Sequence, residues 1–173
     1  MNDSDYFADQ LRVTAEQFAW AALQIPDARR FVAQEGRWCA ARVIFHITNY
    51  ERLTVAPSMR LWEGGPPVDD SPLDDEPLDW ERKGARTTYD DLISAFRAGR
   101  ADQIALASRL VGRWDETRDS PWTLKDAPPI TLRWVVTKTL QHTFEHSDEL
   151  LRIRLYTDMH DTWLKSSRSS RDP

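Results

Sequence analysis

The strongest constraint on this chain is its hydrophobic spacing. Four stretches place apolar residues at alternating steps of three and four, and no segment sustains a period of two. The first follows Ser4 or Asp5 as a cap; Phe7, Leu11, Phe18, Ala22 and Ile25 form its stripe, and Pro26 ends it. The second starts near Arg37, past Gly36, and carries Cys39, Val43, Ile47, Tyr50 and Leu53, with Pro57 expected to end or kink it. The third opens at Thr88, with Asp91 in the position of a capping box, and continues through Leu92, Ile93, Phe96, Ile104, Leu110, Val111 and Trp114. The fourth begins after Pro128-Pro129 and runs to about Tyr156 through Leu132, Val135, Val136, Leu140, Leu150 and Ile153.

Four amphipathic helices predict an all-α four-helix bundle. Short joints between helices one and two, and three and four, favour antiparallel neighbours. Residues 63–86 between helices two and three are rich in proline and in Asp and Glu, so they read as a long acidic crossover loop. That loop makes the topology up-down-down-up. The bundle is expected to span residues 1–165 as one domain, with a disordered tail over 166–173.

The 173 residues carry a formal net charge of −5, which excludes a general electrostatic grip on nucleic acid or anionic lipid. No apolar run approaches the roughly 18 residues of a membrane span. The acidic start, Met1-Asn2-Asp3-Ser4-Asp5, is unlike a secretory signal. One cysteine excludes an internal disulfide and fits a reducing, cytoplasmic setting.

The histidines point to chemistry. His142 and His146 are four apart, so they project from one helix face, and that face is the apolar stripe. His46 lies mid-stripe on helix two, between Val43 and Tyr50. Burying one unpaired polar ring costs about 1–3 kcal/mol. Each site alone also reads as a packed or carbonyl-bonded core histidine. Three imidazoles facing one interior are expensive unless a divalent ion satisfies them. Three nitrogens suit zinc, nickel or iron and leave a coordination position open for water or substrate. His160 lies in a polar stretch beside Asp161 and reads as a surface residue. The string His142-Thr143-Phe144-Glu145-His146 also fits the H-x-x-E-H of inverted zinc peptidases, with Glu145 as base. Those enzymes take a third ligand well downstream, where this chain has little beyond its tail; His46 lies upstream instead.

Two segments carry a family resemblance. Gly36-Arg37-Trp38-Cys39 through His46 to Glu51 is similar to the G-x-W-S-x-x-x-x-x-x-H-x-x-x-x-E segment of the DinB/YfiT-like proteins. Gln141 to His146, with Leu150 and Arg154, is similar to their final-helix H-x-x-x-H segment. Cys39 departs from the small polar residue often found after the tryptophan, and the acidic loop is longer than usual. The resemblance implies an up-down-down-up bundle, often a homodimer, with a three-histidine metal centre at His46, His142 and His146. It also implies a thiol-dependent S-transferase, isomerase or hydrolase acting on a small molecule, with a low-molecular-weight thiol as cosubstrate.

In such a site Tyr50, one turn after His46, is a candidate catalytic hydrogen-bond donor, or else it only packs. Glu51 and Glu149 either orient a ligand imidazole or face solvent. Cys39 lies too far along the helix to share an ion with His46 and reads as a buried apolar thiol. The rival readings are a non-catalytic metal-binding or stress-response helical protein, and a metal-free helical interaction protein.

Overall fold

The computed structural model describes residues 2–33, 36–69, 71–119 and 128–169, with side chains described up to residue 159. The protein is predominantly helical. Helix α1 (Asp3–Leu23) is capped by Asn2, whose side chain accepts from the Asp5 amide, upstream of the Ser4 or Asp5 cap that the sequence suggests. Helix α2 (Ala40–Tyr50) follows Cys39 as its N-cap and continues through a π-turn (Glu51–Val55) into α3 (Ala56–Arg60). Pro57 therefore does not end the helical rod, which continues to Arg60. The wider turn before Pro57 gives its ring room that a regular α-turn would deny.

The stretch 63–86 is more than a loop. It contains α4 (Glu76–Arg82) between two short 3₁₀ turns. Pro77 sits in the first turn of α4, where a missing N–H costs nothing, and Glu76 and Asp79 face the positive end of the helix dipole. Trp80 packs edge-on against Phe45 of α2, with ring centroids 5.4 Å apart.

Helix α5 (Tyr89–Arg109) starts as the capping pattern predicts. Thr88 Oγ1 accepts from the Asp91 amide at 3.1 Å and donates to its carboxylate at 2.6 Å. The helix stops before Leu110, so Val111 and Trp114 lie in the following turn, where Gly112 takes a φ of 76°. Strands β1 (Thr117–Arg118) and β2 (Ile130–Thr131) form a two-residue antiparallel pair, too short to leave an alternating pattern. Helix α6 (Leu132–Ser169) runs past the expected end at Tyr156 and into the first residues of the stretch read as a tail. Residues 170–173 and the side chain of His160 lie outside the described residues. No helix among the described residues is long and apolar enough to cross a membrane.

The core falls into two apolar clusters. One joins Phe7 and Leu11 of α1, Met59 of α3 and nearby Trp62, Leu106 of α5, and Leu132 and Val136 of α6. The other joins Phe18 and Ala22 of α1, Val43, Ile44 and Ile47 of α2, Ile93 and Phe96 of α5, and Leu150 and Ile153 of α6. Between them along these helices lies a layer of buried polar side chains: Thr14, Asn49, Glu51, Arg100, Gln103, Thr139 and Thr143.

Candidate metal centre

Gly36 adopts a φ of 69°, a backbone conformation open to glycine at little cost, and turns the chain so that Trp38 lies ahead of α2. The rings of Trp38 and His46 are 4.8 Å apart at their centroids, and Trp38 lies nearly parallel to His146 at 6.4 Å. His142 and His146, on successive turns of α6, face His46 across the interface with α2. Their ring centroids lie 5.5 and 5.1 Å from that of His46. Each of the three offers one ligand atom, and these atoms all lie within 4.8 Å of one another. The Nε2 atoms of His142 and His146 are 3.0 Å apart.

The outer edges of two rings face carboxylates. Glu149 Oε2 lies 2.9 Å from His146 Nδ1, so Glu149 orients an imidazole. Glu76, from α4, brings Oε2 to 3.6 Å from His46 Nδ1, beyond hydrogen-bond distance. His46 Nδ1 is buried and has no hydrogen-bond partner. Nothing in the sequence marks Glu76, one acidic residue among many in a proline-rich stretch.

Burial lowers the His46 pKa, and the neighbouring His146 lowers it further; Glu76 partly offsets both. Burial, His146 and His46 together push His142 down to about 3. Both rings therefore favour the neutral form that a metal ligand needs. These rings suit a divalent ion: three imidazole nitrogens, a donor type such ions favour, converge from two helices to within 4.8 Å of one another.

Tyr50 packs on His142 at 4.3 Å between ring centroids, and burial raises its phenol pKa, so it stays protonated. Glu51 takes neither role read from the sequence. It is buried against Arg100, and Gln103 Nε2 donates to its Oε2 at 3.0 Å. Arg100 also donates to Thr143 Oγ1 at 2.7 Å, directly after His142 in the chain. Cys39 is buried in the second apolar cluster, where burial raises its thiol pKa.

A helical protein with three convergent, partly buried imidazoles is thus the class that fold and site define. Residues 10–150 match the DinB superfamily, and the chain belongs to it. No curated protein and no solved structure matches the chain.

Proposed function

We propose that this protein is a metal-dependent enzyme of the thiol-dependent S-transferase type, or a related hydrolase or isomerase, acting on a small molecule. The observation that carries this reading is the convergence of one ring nitrogen each from His46, His142 and His146. These three residues would hold a zinc, nickel or iron ion. When bound, the ion supplies Lewis acidity that favours the thiolate of a low-molecular-weight thiol, or activates water.

The chain's own residues do the rest. Glu149, beside His146 Nδ1, fixes the tautomer of that ring. Tyr50, kept protonated by burial, is available as a hydrogen-bond donor on the His142 side. Trp38 packs beside His46 and His146 and walls that side of the cluster. The topology we read is an up-down-down-up four-helix bundle. The grouping of the α1 and α6 starts with the α3 and α5 ends in one apolar cluster supports it. We further read a cytoplasmic homodimer; the lone buried thiol and the groove shared by exposed Trp20 and Phe144 support this.

The test combines elemental analysis of the purified protein with a screen of low-molecular-weight thiols against reactive electrophiles. A folded His46→Ala variant should lose both metal and turnover. A metal-poor variant with full turnover would refute the catalytic role, and a wild-type protein that takes up no divalent metal would refute the centre itself.

A further inference from the structure

The crossover segment supplies a second carboxylate to the histidine cluster. His146 turns Nδ1 to Glu149 and Nε2 toward His142. His46 repeats half of this arrangement: its Nδ1 faces a carboxylate 3.6 Å away, but that carboxylate, Glu76, comes from α4, remote in sequence. Glu76 is held firmly in place. Arg42 Nη2 donates to its Oε2 at 2.8 Å, and Arg42 Nη1 pairs with its Oε1 at 2.7 Å; both side chains are 8% exposed. Arg42 lies one turn before His46 on α2, and its guanidinium rests over the rings of Trp38 and Trp80 at 5.0 and 5.4 Å. Trp80 belongs to the same short helix as Glu76. A charged carboxylate this buried needs a reason to face a neutral imidazole. Orienting that imidazole is one: a ligating histidine usually gives its other ring N–H to a carboxylate.

We propose that Glu76 is a positioning residue for His46: its carboxylate, poised 3.6 Å from Nδ1, accepts a hydrogen bond from Nδ1–H when the ring engages an ion and thereby commits Nε2 to that ion, while Arg42 holds Glu76 in place. This rests on the metal reading above and extends it to the crossover, which then forms part of the centre rather than a connector.

The test uses the full chain stripped of metal and titrated with zinc chloride alone. Wild type and Glu76→Gln are compared for zinc affinity by competition with a chelating dye, and for the thermal stability of the metal-free form. Glu76→Gln should weaken zinc binding by about 10–100-fold, the usual cost of losing such a partner. Unchanged zinc affinity, with or without a lower melting temperature, would overturn the proposal and leave the metal reading intact. A wild type that binds neither zinc nor, in parallel titrations, nickel or ferrous iron would overturn both. If Glu76→Gln does not fold, nitrogen-15 NMR of zinc-loaded wild type decides. His46 should carry its proton on Nδ1, protected from exchange; a proton on Nε2 would overturn the assignment.

Discussion

Removing the carboxylate of Glu51 should cost a large share of the stability of the fold. Glu51 and Arg100 are 2% and 1% exposed, and they join the π-turn to the middle of α5. Burial pushes the Glu51 pKa up, and Arg100 and Gln103 draw it back. Burial likewise lowers the pKa of Arg100. Nε and Nη1 of Arg100 have no hydrogen-bond partner, so its charge is balanced mainly by this one carboxylate. Breaking a buried pair by deleting one member costs about 3–5 kcal/mol. A domain has only about 5–15 kcal/mol to lose. At about 2–4 °C per kcal/mol for a chain of this length, Glu51→Gln should lower the melting temperature by about 6–20 °C. Urea unfolding of the metal-free protein, followed by far-ultraviolet circular dichroism, measures the free-energy loss directly. The double variant Glu51→Leu/Arg100→Met, which removes both charges, should recover most of that loss. A loss under about 1 kcal/mol in Glu51→Gln, or a double variant as unstable as the single, would refute the reasoning.

Three further outcomes follow from the same geometry. His46 and His142 have pKa values lowered in the folded state, so the unfolded chain binds more protons as pH falls below about 6.5. Stability of the metal-free protein should therefore decline from pH 7 toward pH 4, and His142→Gln should flatten that decline in urea titrations. A side chain at Gly84 would place its Cβ 2.8 Å from Phe45 Cδ2 and closer still to Trp80. Gly84→Ala should thus cost about 1–3 kcal/mol by overpacking, read by thermal melts. Zinc at about 100 times its dissociation constant should stabilise wild type by about 2.7 kcal/mol and leave His142→Ala nearly unmoved in the same melts.

The periodicity of the apolar residues makes the four long helical stretches and the inward faces of His46, His142 and His146 legible in the sequence. Each of those faces is a local property of one helix. What escaped depends on residues far apart in the chain. Glu76 looks like any solvated acid until α4 folds against α2 and pairs it with Arg42. Helix α4 has seven residues, too few for periodicity to declare itself beside so many prolines. The π-turn leaves no pattern at all, and it begins at Glu51, whose burial against Arg100 no wheel projection foresees. Glu149 was accessible because its partner His146 lies three residues away on the same helix.

The polar layer between the two apolar clusters has a consequence for how the molecule breathes. The two apolar clusters share α1, α5 and α6 but are separated by that layer, so the halves on either side are expected to open with different free energies. Amide exchange should resolve two levels of protection, one for the half around Leu11 and Val136 and one for the half around Phe18 and Ile44. The histidine cluster sits where α2 and α6 meet along this seam, so whatever rivets its three rings together would also fasten the two halves into one.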